Sequence, residues 1–273
     1  VQGLGGATGM AMGPDGRRLY QASVRGRSVT DLLTGQSTSW PPVSWFVTYD
    51  PEVAVGPDDQ AYWTECAVGM VCALFAGDAT TFAENWHVNV GADRAAGVAV
   101  SPDGEFVYVS ATISPHYPWA KIQKISTASR SLVGTLDLGI YGLQAGRIAL
   151  SPDGRRLYAV NGSSPSVTVV DAEALTILKN IPLGVGAITT NWPMGGIAVT
   201  PDGKSVYVTN GELGTVSVLD TATMAVTQTL GGFGRADSSG AFIGPTPLET
   251  AVEYYNVALD HYFMTATYTE IYE

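Results

Sequence analysis

Imidazole is scarce in this chain: of 273 residues, only His87, His116 and His261 carry it. Metal-assisted hydrolysis needs several His or carboxylate ligands converging on one point. Glu65, His87 and His116 form the one set that could meet this need, provided the fold brings His87 and His116 to one face. Glu52, Glu65, Asp93 and His116 are the groups from which a carboxylate-based hydrolytic or lyase site could be drawn. Arg94 and Arg147 could hold an anionic ligand, but pairing with Asp93, Glu52 or other carboxylates is the reading favoured. His261 reads as an aromatic-packed structural residue. No Gly-x-Ser-x-Gly elbow, His-Glu-x-x-His pair, phosphate loop or EF-hand loop occurs. No catalytic residue is therefore assigned, and no cofactor is expected.

A second set of side chains is aromatic and falls between strand-like runs: Trp45, Phe46, Tyr49, His116, Tyr117, Trp119, Tyr141 and Trp192. Aromatic groups carried on loops suit a binding face for a protein partner, a further copy of the chain or a carbohydrate. The plainer alternative is that they pack beneath their own loops. Trp40 and Trp86 lie near the ends of outer strand-like runs. Cys66 and Cys72 flank a Gly-containing turn, so they read as a disulfide across a hairpin, with two buried free thiols as the alternative. A disulfide points to export: a secreted, extracellular, cell-surface or periplasmic protein.

The formal net charge of −11 argues against nucleic acid and anionic membrane surfaces as partners, since both require basic patches. No apolar run is long enough for a transmembrane segment. The chain starts at Val1 rather than Met, which reads as a processed product or an excerpt.

These groups must be positioned by a repeated element. Pro-Asp-Gly occurs at Pro14-Asp15-Gly16, Pro102-Asp103-Gly104, Pro152-Asp153-Gly154 and Pro201-Asp202-Gly203, with a worn copy at Pro57-Asp58-Asp59. Successive Pro residues are 43, 45, 50 and 49 positions apart. Pro presets φ, Asp bonds its own backbone and Gly accepts positive φ, so each triplet encodes a tight hairpin. A Tyr follows six residues after Pro in four copies (Tyr20, Tyr108, Tyr158, Tyr207) and five after it in the worn copy (Tyr62). The worn copy has lost its Gly, so its hairpin must be built differently. Around the last triplet run Gly196–Thr200, Ser205–Asn210, Thr215–Asp220 and Ala225–Leu230, four short runs rich in β-branched residues. That pattern is an antiparallel meander, and one four-stranded sheet per repeat is what a β-propeller blade requires. Asn161 and Asn210 hold equivalent repeat positions, which favours turn capping over catalysis. Turn chemistry likewise explains every triplet Asp.

Ile197-Ala198-Val199-Thr200-Pro201-Asp202-Gly203 followed by Val206-Tyr207-Val208-Thr209-Asn210 resembles the YVTN β-propeller repeat, over about residues 8–231. The resemblance implies an all-β fold of four-stranded antiparallel blades. It is weakly informative about function, because such propellers occur in bacterial and archaeal surface proteins while related ones serve as lactonases, lyases and quinoprotein subunits. The expectation is an exported, non-catalytic propeller that acts as a binding, scaffold or self-assembling surface or filament subunit. The alternative is a lactonase- or lyase-like enzyme with a metal or carboxylate site at the channel mouth. A redox-partner subunit ranks third, since no Cys-x-x-Cys-His is present.

The propeller is assigned to residues 1–232, a linker to 233–250 and a partial C-terminal module to 251–273. Val1–Gly6 aligns with the outer strand of the last copy. A closed five-blade ring is favoured over a portion of a larger propeller, because an open arc would expose strand edges. Val252-Glu253-Tyr254-Tyr255-Asn256 and Asp260-His261-Tyr262-Phe263 resemble a short repeat module found at the C-termini of secreted bacterial proteins and hydrolases. The terminal strand-like segments could pair with a neighbouring subunit.

Overall fold

Each Pro-Asp-Gly turn closes its hairpin through the same few bonds. At Pro102-Asp103-Gly104 the Gly104 amide donates to Ser101 O at 2.9 Å, and the Ser101 amide to Phe106 O at 2.8 Å. Asp103 Oδ1 accepts from Ser101 Oγ at 2.5 Å and from Glu105 N at 2.9 Å. Ser151 with Asp153, and Thr200 with Asp202, repeat the arrangement. Gly154 sits at φ 73°, and a Cβ there would lie 3.0 Å from Pro102 Cδ, so the turns of successive blades also stack. The worn copy is built differently, as expected. It is a residue shorter, with Gly56 N reaching Gln60 O where Gly13 N reaches Arg18 O. Asp59 takes the left-handed conformation there, at φ 56°, which Asp tolerates better than most residues.

The computed structural model describes residues 9–42, 51–66, 71–92, 94–112, 120–139, 145–161, 164–184, 195–210, 213–232, 254–256 and 261–263. Blade 1 comprises β1 (Gly9–Met12), β2 (Arg18–Ser23), β3 (Gly26–Asp31) and β4 (Ser37–Trp40). Blade 2 comprises β5 (Val53–Val55), β6 (Gln60–Cys66), β7 (Cys72–Asp78) and β8 (Glu84–Asn89). Blade 3 comprises β9 (Arg94–Val100), β10 (Phe106–Thr112), β11 (Ala120–Ser126) and β12 (Ser131–Asp137). Blade 4 comprises β13 (Ala145–Leu150), β14 (Arg156–Asn161), β15 (Ser166–Asp171) and β16 (Thr176–Pro182). Blade 5 comprises β17 (Ile197–Val199), β18 (Ser205–Asn210), β19 (Thr215–Asp220) and β20 (Ala225–Leu230). Each blade is a four-stranded antiparallel meander, and the five stand in a closed ring. This is the all-β, five-bladed propeller anticipated above.

Strand alternation gives every sheet two faces, and each face is buried against a neighbour. The repeat Tyr of each of blades 1 to 4 looks toward the next one. Tyr20 and Val29 meet Trp63 and Phe82, and Tyr62 and Leu74 meet Val98 and Val107. Tyr108 and Ile122 meet Leu157 and Val170, and Tyr158 and Val169 meet Val206 and Leu219. The turn between the third and fourth strands adds a plug. Asp31, Asp78, Asp171 and Asp220 accept amides of the turn that follows them. Four residues beyond each, the chain visits positive φ, at Gly35, Phe82, Leu175 and Met224; Arg130 does so after Ser126. Phe82, Leu175 and Met224 reach back into the core shared with the preceding blade.

Cys66 and Cys72 face each other in the β6–β7 register and are disulfide-bonded. A ring that short contributes about 2 kcal/mol by the loop-entropy argument. Near the C-terminus, β21 (Tyr254–Asn256) and β22 (His261–Phe263) pair antiparallel, with Tyr255 opposite Tyr262. Val1–Gly6 and residues 233–250 lie outside the described residues. Among the described residues, no helix is long and apolar enough to cross a membrane.

Candidate functional site

All five inner strands start at the same end of the ring and run toward the Pro-Asp-Gly turns. At the starting end the chain enters β1, β5, β9, β13 and β17, and the turns between second and third strands lie at that end too. The inner strands enclose an axial cavity of about 250 Å³. Each is the edge of its sheet, so it is paired on one side only. The wall is otherwise Met10, Met12 and short runs of Gly, Ala, Val, Ile and Leu.

The ionisable side chains lining the cavity, among the described residues, are Glu52 and Arg147. They bond to each other, Arg147 Nε donating to Glu52 Oε1 at 2.9 Å. Glu52 precedes β5 and Arg147 lies on β13, so the pair spans from blade 2 to blade 4, past blade 3. Thr64 holds Glu52 in place: its Oγ1 accepts the Glu52 amide at 3.1 Å, and its own amide donates to Glu52 O at 3.0 Å. The side chains are only 4% and 13% exposed, so the pair is a buried one.

A second buried ion pair joins blades 1 and 2. Arg27 Nη1 approaches Glu65 Oε1 at 3.3 Å, and Arg27 Nη2 donates to Pro41 O at 2.8 Å. The guanidinium carbon lies 4.6 Å from the Trp63 ring centre, and Trp63 Nε1 donates to Glu65 Oε1 at 3.2 Å. Burial lowers the pKa of Arg27, with Glu65 and Glu84 opposing the shift. Glu65 is thus engaged with a cation and an indole. His87 sits on β8, where its Nδ1 is 2.7 Å from Glu84 Oε1 and its ring is 5.4 Å from Phe75. His116, the third member of the candidate metal set, lies outside the described residues. Among the described residues, no three His, Cys, Asp or Glu side chains gather as metal ligands.

Trp45, Phe46, Tyr49, Tyr117, Trp119, Tyr141, Trp192 and Asp93 also lie outside the described residues. The strand ends that flank them all sit at the starting end of the inner strands. Trp40 and Trp86 belong instead to the packing between blades, 5.4 Å from Phe82 and 6.0 Å from Tyr62 respectively. Compared with protein-family models and with curated proteins, the chain matches none.

Asn161 and Asn210 act as cross-strand locks. Asn161 Nδ2 donates to Ser166 Oγ at 2.7 Å while its Oδ1 accepts from Thr168 Oγ1 at 3.1 Å. Asn210 Nδ2 donates to Thr215 Oγ1 and Ser217 Oγ, both at 3.0 Å. Arg27 escaped the sequence reading. The available signal was its place two residues before Val29, on the inward face of β3.

Proposed function

We propose that this protein is an exported, non-catalytic propeller of the YVTN type, serving as a binding, scaffold or self-assembling subunit. In this reading Trp45, Phe46, Tyr49, His116, Tyr117, Trp119, Tyr141 and Trp192 form the contact face, and the terminal segments join neighbouring subunits. The observation that carries it is the Glu52–Arg147 pair at the channel mouth. A hydrolytic propeller needs carboxylates free to take a metal or a proton there. Here Glu52 is committed to Arg147, and Glu65 to Arg27 and Trp63. The Cys66–Cys72 disulfide supports an oxidising compartment.

Sedimentation at micromolar concentration tests the proposal. Association that Trp119→Ala with Trp192→Ala abolishes is the expected result. A strict monomer whose melting temperature no peptide or carbohydrate shifts would overturn it. Elemental analysis of the same sample is the second arm. A stoichiometric divalent ion, lost in Glu65→Gln or His116→Ala, would replace this reading with the lactonase-like one.

A further inference from the structure

On the Pro-Asp-Gly side of the ring, three crevices between neighbouring blades are filled in one way. Between blades 1 and 2, Arg18 Nη1 donates to Tyr20 Oη and Thr80 Oγ1, each at 3.4 Å. Between blades 3 and 4, Lys124 Nζ donates to Ala172 O at 3.1 Å and Glu173 O at 3.3 Å. Tyr108 Oη donates to the same Ala172 O at 2.9 Å. Between blades 4 and 5, Arg156 Nη1 donates to Thr221 O at 2.5 Å. Each crevice therefore receives a cationic side chain, and Phe82, Leu175 or Met224 plugs it from the following blade.

The crevice between blades 2 and 3 has neither filler. Gln60 stands where blades 1 and 4 carry Arg18 and Arg156, two residues before the repeat Tyr. Its amide is turned onto Asp58 Oδ2 at 2.8 Å. Arg130, exposed, stands where the other turns carry Phe82, Leu175 and Met224. A cavity of about 370 Å³ remains, lined by Asp58, Gln60, Asn85, Trp86, Thr127 and Arg130 among others. Behind Trp86, the hydroxyl of Tyr62 is buried with no hydrogen-bond partner among the described residues. Its counterparts in Tyr20 and Tyr108 both have one. A buried hydroxyl left unpaired is costly, and native structures rarely keep one without a purpose.

We propose that this crevice binds a guanidinium or primary ammonium group, presented on an Arg or Lys side chain of another polypeptide. The ring supplies the precedent, since its own Arg18, Lys124 and Arg156 occupy the equivalent slots. The walls supply acceptors in the Asp58 carboxylate and the Gln60 and Asn85 amide oxygens. The net charge of −11 favours the approach of a cation. Arg130 on the rim selects a single cation with neutral or acidic neighbours over a polycation. The site lies on the side of the ring opposite the channel mouth and is independent of the function proposed above.

N-acetyl-L-arginine amide titrated into the full chain, followed by calorimetry, tests the proposal. Saturable binding with a Kd on the order of 1 mM is expected for so small a probe, and N-acetylglycine amide should not bind. Gln60→Arg refills the slot from within. It should weaken binding by about tenfold or more and raise the melting temperature. Asp58→Asn, on an exposed turn, should weaken binding several-fold without disturbing the fold. No saturation by the arginine probe, or saturation that Gln60→Arg and Asp58→Asn leave unchanged, would overturn the proposal. Saturation by a methyl glycoside in place of the arginine probe would overturn it in favour of a carbohydrate site.

Discussion

Glu52 and Arg147 illustrate how a buried charge is tolerated only in company. Arg147→Met should destabilise the protein by about 3 kcal/mol, because the buried Glu52 carboxylate loses the guanidinium it bonds. The double variant Glu52→Met with Arg147→Met should recover most of that loss, and urea denaturation of the three proteins measures both. If the double variant were no better than the single one, the pair would not be the unit that matters. The pairing of Arg147 with Glu52 was legible in the sequence, although Arg147 stands within β13 rather than just ahead of it. The placement of Glu65 beside Arg27 was not, because the two lie on different blades and share no motif. Trp63 touches both.

The hairpin is the element in which sequence and structure agree most closely. Asp103, Asp153 and Asp202 have their pKa lowered, chiefly by the hydroxyls of Ser101, Ser151 and Thr200, and then by backbone amides. Asp31 falls to about 2, with the Arg17 side-chain hydrogen bond as the largest cause. A carboxyl whose folded pKa is depressed stabilises the fold above its unfolded value and loses that contribution as pH falls through the folded one. The melting temperature should therefore hold from neutral pH down to about 5 and decline between about pH 4 and 2. Ser101→Ala combined with Ser151→Ala should flatten that acid limb. Added salt should weaken the exposed Arg17–Asp31 and Lys204–Asp202 parts rather than the hydroxyl and amide bonds. At the β6–β7 hairpin, reduction of Cys66–Cys72 should lower stability by about 2 kcal/mol, measurable by denaturation with and without reductant.

The ring as a whole carries one uneven joint. Four of the five junctions between blades hold apolar clusters with members from both sides. The outward face of blade 5 gathers Tyr207, Val216, Val218 and Leu230 from blade 5 alone, among the described residues. The face of blade 1 that closes on it carries buried Gln21, Ser28 and Thr30. Ser28 Oγ donates to Gln21 Oε1 at 3.2 Å, and Thr30 bonds Ser37 at 2.8 Å. The turn that would reach back from blade 1 carries Gly35 and so has no side chain to offer. Apolar burial is the main cohesive term between blades, so the ring should part first between blades 5 and 1. Hydrogen exchange in mild denaturant should show β1–β4 and β17–β20 losing protection before β9–β16. Uniform loss around the ring would contradict this.

The sequence by itself determined the blade: its length, its Pro-Asp-Gly hairpin, its four strands and the Tyr that looks toward the next sheet. Those follow from local rules, in which turn residues set φ and alternation sets the face. The odd blade was legible too, since Pro57-Asp58-Asp59 departs visibly from the other copies. What that oddity does was decided only by tertiary structure. Gln60 of one blade and Arg130 of the next line the same crevice, and a repeat read along the chain does not show which side chain fills the gap beside its neighbour. The same holds for Glu52 with Arg147 and for Arg27 with Glu65. A buried charge takes its partner from whichever element the ring brings close, and ring closure is a property of all five blades together.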